Sequence, residues 1–161
     1  MCIRDSMNPV PIMVLVEIIK SKYTSSHTTQ TIIDLSLNLN KKPVVVNDSP
    51  GFVANRILLP MINEAILTLE EGVSGVKEID QVMILGMSHP MGPLQLADFI
   101  GLDVCLSILN ILQEGLKNEK YKPAELIKKM VKDNHLGVKT KQGFYDYSMG
   151  MKDKKVANRF V

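Results

Sequence analysis

The chain has 161 residues, 45% hydrophobic and 22% charged, the make-up of a soluble globular protein able to bury one core and a remnant of another. Its 19 Lys and Arg against 17 Asp and Glu leave a formal net charge of +2, which excludes the electrostatic footprint of a nucleic-acid or anionic-membrane binder. Cys2 and Cys105 stand in no metal-ligand or CxxC spacing, so no disulfide framework is expected, and a reducing, cytoplasmic compartment is.

The apolar stretch Pro9 to Ile19 carries two prolines and Glu17 and is far shorter than the roughly 20 residues of a membrane span. Met1 to Ser6 has no apolar segment behind a basic start, so it does not read as a secretory signal. Ile12 to Ile19, IMVLVEII, is a β-branched run with the character of a buried parallel strand, interrupted by one charge, Glu17. Hydroxyl residues from Ser25 lead into Ile32, Leu35 and Leu39, whose spacing predicts an amphipathic crossover helix ending near Asn40. Lys41 to Asn47 contains Val44, Val45 and Val46 before the turn-forming Asp48 and Ser49, and predicts a second strand. Strand, helix, strand is one βαβ unit, which cannot cover both faces of a sheet, so the first third reads as the edge of a larger α/β domain.

After Pro50, placed in a first helical turn, the pattern predicts helices only. Phe52, Ile57, Leu58, Met61, Ile62, Ala65, Ile66 and Leu69 make one apolar stripe, bent at Pro60 and stopped by Gly72. Ser74 is expected to cap a short helix that Gly86 ends, and Pro93 to open another that runs to Gly101. The segment from Val104 to Leu116 is apolar on too many sides to face water alone, which predicts a subunit interface. A last helix is expected from near Pro123 to Asn134, then a segment to Ser148 and a loose tail from 149 to 161 with the charge run Lys152 to Lys155.

Four blocks carry a resemblance: NPVPIMVLVEII at Asn8 to Ile19, NDSPGFVANRILLPMINEA at Asn47 to Ala65, HPMGPLQLADFIGLD at His89 to Asp103, and KTKQGFYDYS at Lys139 to Ser148. In this order and at this spacing they resemble the 3-hydroxyacyl-CoA dehydrogenases, and among them the bacterial 3-hydroxybutyryl-CoA type. The resemblance implies a mainly α fold, with an all-helical C-terminal dimerisation domain (49–148) after a βαβ remnant (1–48) of a Rossmann-type α/β domain. It also implies NAD as cofactor, an acyl-CoA substrate and a homodimer, with no nucleic-acid or membrane partner.

In that family a histidine three positions before the Asn of NPVP takes the substrate's proton, and a carboxylate in the following strand pairs with it. Glu17 matches the carboxylate. A neutral imidazole serves as base near neutral pH when a carboxylate fixes its tautomer and stabilises its charged form. Taken alone, Glu17 reads as a strand-end residue facing water. Asn55 matches the Asn that hydrogen-bonds substrate near the reacting oxygen, since an amide donates without titrating; taken alone it is a solvated helix residue. Asn8 and Lys139 match positions that contact the cofactor, and taken alone they read as an Asn-Pro turn residue and a surface lysine. Lys141 stands where family patterns carry glycine, a departure that bears on the local turn and on the reach of Lys139.

Position 5, where the resemblance places the histidine, is Asp5. Met1 to Ser6 resembles nothing in the family and is expected to be an artificial or chimeric start. The first glycine is Gly51, so no glycine-rich turn for a pyrophosphate precedes the helical part. His27, His89 and His135 have no partner at ligand spacing, and no metal is expected. The reading is therefore a fragment of an NAD-dependent dehydrogenase that is inactive alone; the alternative is a stand-alone, non-catalytic helical dimerisation module.

Overall fold

A computed structural model describes residues 2–6 and 10–161, with the side chains of 2–4 and 6 left aside. The chain divides into two compact units, residues 1–54 and 55–161.

The first unit is a three-stranded sheet with one helix. Strand β2 (Leu15–Lys20) lies between β1 (Cys2–Ser6), which runs antiparallel to it, and β3 (Lys42–Asn47), which runs parallel. The crossover between the parallel pair is α1 (Ser26–Asn38), capped by the Ser25 hydroxyl, which accepts from the Thr28 N–H. Val16, Glu17, Ile18 and Ile19 are consecutive and all buried, as a central strand covered on both faces requires.

Two expectations are corrected here. The apolar run starts too early: Ile12, Met13 and Val14 lie outside the strand and are exposed, in a turn whose Val10 and Met13 carbonyls accept from Lys41 Nζ. Helix α1 does not bury Leu35 and Leu39, which are 46% and 51% exposed; its inner face carries Thr29 and Ser36. Their hydroxyls donate to the carbonyls of Ser25 and Ile32 one turn back, which lets a polar residue be buried without an unpaired donor. The opening residues, expected to be an artificial or chimeric start, form β1 on the free edge of β2.

The second unit holds the main core, built on α2 (Ala54–Glu70, itself starting one residue earlier), α3 (Val76–Met87), α4 (Pro93–Ile100), α5 (Leu102–Leu116) and α6 (Glu125–Lys132). Pro50 does not open α2. Ser49 to Phe52 form a turn closed by the Phe52 N–H on the Ser49 carbonyl, with Pro50 second and Gly51 third at φ 73°, the backbone sign that a type II turn needs there. Nor does Ser74 cap α3 or Gly86 end it: Gly75 is the cap and Ser88, at φ 56°, the stop. Pro93 does sit in the first turn of α4, and Gly101, at φ 104°, turns the chain through 98° into α5. Among the described residues no single helix is long and apolar enough to cross a membrane.

This unit is not all-helical. Strand β4 (Tyr145–Asp146) pairs antiparallel with β5 (Lys155–Val156), so the tail expected to be loose is docked. Ala157 is buried and its N–H donates to the Phe144 carbonyl, Phe160 stacks on Phe144 at 5.7 Å, and Arg159 reaches Asp133 and His135 beyond α6. The charge run masked this, because the apolar anchors Ala157 and Phe160 come only after it.

Candidate active site

Glu17 sits midway along β2, 3% exposed. Its Oε1 accepts a long bond from the Ala54 N–H at 3.3 Å, and its Oε2 is buried with no hydrogen-bond partner among the described residues. A carboxylate oxygen in that state costs free energy unless something supplies a proton or a charge. The residue directly across the β1 ladder is Asp5, and directly opposite residues in an antiparallel pair share a face at about 5 Å between β-carbons. The register thus puts the position expected to hold the histidine against the carboxylate expected to pair with it. Two acids occupy the pair here.

The other expected site residues are not gathered around Glu17 within its unit. Asn55 and Lys139 belong to the second unit, and Asn8 lies outside the described residues. Asn55 is half-buried in the first turn of α2, and its amide makes no hydrogen bond among the described residues. Lys139 stands in a 3-10 turn, Val138–Thr140, with its ammonium 2.5 Å from Asp103 Oδ1 at the start of α5. That ammonium holds the Asp103 carboxyl below its usual range. Lys141, at the end of that turn, adopts φ 61°, a backbone sign that glycine takes without strain.

Sequence reasoning missed a buried polar cluster in the same unit. Asp80, on α3, accepts from the N–H groups of Leu94 and Gln95 at the start of α4 and from the Tyr145 hydroxyl at 2.8 Å. Asp98, on α4 and 1% exposed, accepts from the N–H groups of Phe144 and Tyr145, each at 2.9 Å, and from the Tyr147 hydroxyl at 3.1 Å. Burial pushes the Asp98 carboxyl up to about 7 against these bonds, and raises Asp80 as well. Burial also drives both tyrosines upward and Cys105 up to about 12, so all three keep their protons near neutral pH. Asn63, on α2, is buried separately from that cluster: its amide N–H donates to the Lys122 carbonyl and its Oδ1 accepts from the Ala124 N–H. The available signal was an acid on a helix's apolar face, Asp80 one turn after Val76 and Asp98 one turn after Leu94.

A cleft of the first unit is lined by Lys20 to Thr24 with Asn47 and Asp48, at the carboxyl ends of β2 and β3, and contains none of the expected site residues. Among the described residues no three His, Cys, Asp or Glu side chains group as metal ligands would.

Comparison with known proteins decides the family. The pattern of the 3-hydroxyacyl-CoA dehydrogenase C-terminal domain matches residues 51–147, more than half the chain, and that of the family's NAD binding domain matches 5–49. The chain belongs to the 3-hydroxyacyl-CoA dehydrogenase family. A probable 3-hydroxybutyryl-CoA dehydrogenase of Bacillus subtilis is 57% identical over 141 residues, covering 88% of this chain and 49% of that protein. The human mitochondrial hydroxyacyl-coenzyme A dehydrogenase is 43% identical over 141 residues, 87% of this chain and 45% of that one. The crystal structure of an (S)-3-hydroxybutyryl-CoA dehydrogenase from Ralstonia eutropha superposes with a TM-score of 0.89 at 48% identity, covering 91% of this chain and 52% of that one. The chain thus spans about half the length of these relatives of its family.

Proposed function

We propose that this chain is the substrate-side part of an NAD-dependent 3-hydroxybutyryl-CoA dehydrogenase, interconverting an (S)-3-hydroxyacyl-CoA and the 3-oxoacyl-CoA. The observation that carries the reading is Glu17: buried, with one oxygen unpartnered, and opposite the position from which an imidazole would meet it. There the carboxylate would accept an imidazole N–H, fix the tautomer and stabilise the charge gained with the substrate's proton. Asn55, whose amide has no bond among the described residues, would donate to the substrate near the reacting oxygen. Asn8 and Lys139 would face the cofactor.

When bound, NAD accepts or returns the hydride. A pyrophosphate cradle of backbone N–H groups needs glycines that this chain does not have before Gly51, so its residues do not fit that part of the cofactor. With Asp5 in the base position, the imidazole that this reading requires as base is not there. The chain alone is therefore inactive in this reading, cytoplasmic, and a homodimer through the second unit, where Val104 and Ile111 of α5 stay exposed. That exposed stripe is also what favours the second reading, a dimerisation module with no catalysis.

An assay separates the two. The purified chain, mixed with acetoacetyl-CoA and NADH, should leave nicotinamide absorbance unchanged, and turnover would contradict the account. Joined to the NAD-binding half of a relative, with Asp5→His, it should turn over; continued silence favours the module.

A further inference from the structure

Lys139 stands at the apex of a loop whose two ends rest on a single residue of α4. At one end Gly137, at φ 92° and buried, lies so close to the Asp98 backbone that a β-carbon there would collide with the Asp98 carbonyl oxygen. At the other end a β-carbon on Gly143 would collide with Asp98 Oδ1. Directly after Gly143 come the two N–H groups that Asp98 accepts, those of Phe144 and Tyr145. Between the ends the loop is closed on itself. The Gly137 N–H donates to the Gln142 carbonyl at 2.7 Å, and the Thr140 hydroxyl accepts from the Leu136 N–H and donates to the Gln142 carbonyl. A loop so closed moves as one piece, and its seat is Asp98.

The apex is held by a second contact. The Lys139 ammonium pairs with Asp103, and its stem passes Gly101 so closely that a β-carbon there would lie 3.2 Å from Nζ. Gly101 and Asp103 follow Asp98 by three and five residues, across the α4–α5 bend. The ion pair by itself is half-exposed and worth little, so it fixes the lysine only if the loop already brings the two together.

We propose that Asp98 is a positioning residue: by seating both ends of the Gly137–Gly143 loop it sets where the Lys139 ammonium stands. The inference rests on the reading of Lys139 as cofactor-facing for its bearing on catalysis. The placement itself is a property of this chain.

The test is the ammonium signal of Lys139 in the full chain prepared with isotope-labelled lysine, identified by its loss in Lys139→Arg. In the unchanged chain it should be displaced from the signals of exposed lysines, and Asp103→Asn should bring it back among them. Asp98→Asn keeps the side chain's shape but turns an amide N–H toward backbone donors, and should bring the signal back equally while far-ultraviolet circular dichroism keeps its helical form. Should Asp98→Asn fail to fold, Tyr147→Phe, which removes one of the three donors and leaves the others, should move the signal part of the way. Asn63→Ala weakens the unit at a site away from the loop and should leave the signal in place. A signal that stays displaced in folded Asp98→Asn, or in Tyr147→Phe where Asp98→Asn does not fold, overturns the proposal. So does one that moves as far in Asn63→Ala, since the role would then be general stability. The signal reports where the ammonium stands and not what it meets, so failure here leaves the cofactor-facing reading to the enzyme assay.

Discussion

Lys141 is an exposed lysine held at φ 61°, where a side chain with a β-carbon costs about 1 to 2 kcal/mol and glycine does not. Glycine loses more freedom on folding, which offsets part of the gain. Lys141→Gly should therefore raise the unfolding free energy by about 1 kcal/mol, read by urea denaturation. Asp98 gives a second residue-scale prediction. Its folded value of about 7 lies above the usual carboxylate value of 3.8, so the stability it contributes is fully present below that value and lost as pH rises through about 7. Asp80 is shifted the same way. Unfolding free energy should fall between pH 5 and 8, by about 1 to 3 kcal/mol from Asp98, and Asp98→Asn should flatten the profile. A profile of unchanged slope in that variant would rule out Asp98 as the source.

At the scale of elements, the composition of each segment told its type, and packing decided its face. The β-branched runs near Ile18 and Val45 are strands, and Pro93 and Gly101 bracket α4, because backbone preferences of that kind act locally. Helix α1 was legible as a helix and illegible as to its face, since self-bonded hydroxyls look polar in a sequence and behave as small neutral groups in a structure. Leu35→Lys should thus change stability by less than about 0.5 kcal/mol, whereas Ser36→Leu, at 0% exposure, should cost about 1 to 3 kcal/mol by overpacking. Thermal unfolding of the two variants would distinguish these faces, and the reverse order would restore the amphipathic reading. Strands β4 and β5 were missed for a different reason. Each is two residues long, too short for any alternation, and their place is set by Asp98 from 47 residues away in sequence. The four sequence blocks signalled the family, but several of their residues, Asn63, Asp98, Gly143, Tyr145 and Tyr147, serve the fold. Resemblance alone does not separate those duties.

Taken whole, the molecule is a helical core joined in sequence to a three-stranded sheet. The second unit buries Leu59, Ile62, Ile66, Leu94, Leu102, Leu109, Leu112, Ile127 and Met130 almost fully, while in the first unit Val44 and Val45, on opposite faces of β3, are 49% and 40% exposed. A strand parallel to its neighbour with both faces open is what a doubly wound sheet covers with helices. Glu17 lies on the buried strand β2 beside that β3, opposite a position whose residue decides whether the pair is an acid beside an acid or an acid beside a base. Glu17 is the carboxylate that orients an imidazole standing at position 5 in the proposed function. The direct measurement is the turnover number, with acetoacetyl-CoA and NADH, of the chain joined to a relative's NAD-binding half, comparing Asp5→His alone with Asp5→His plus Glu17→Gln. The account predicts a loss of roughly a hundredfold or more in the double variant, the scale of a general base that has lost its orienting partner. Equal turnover in the two proteins would contradict it.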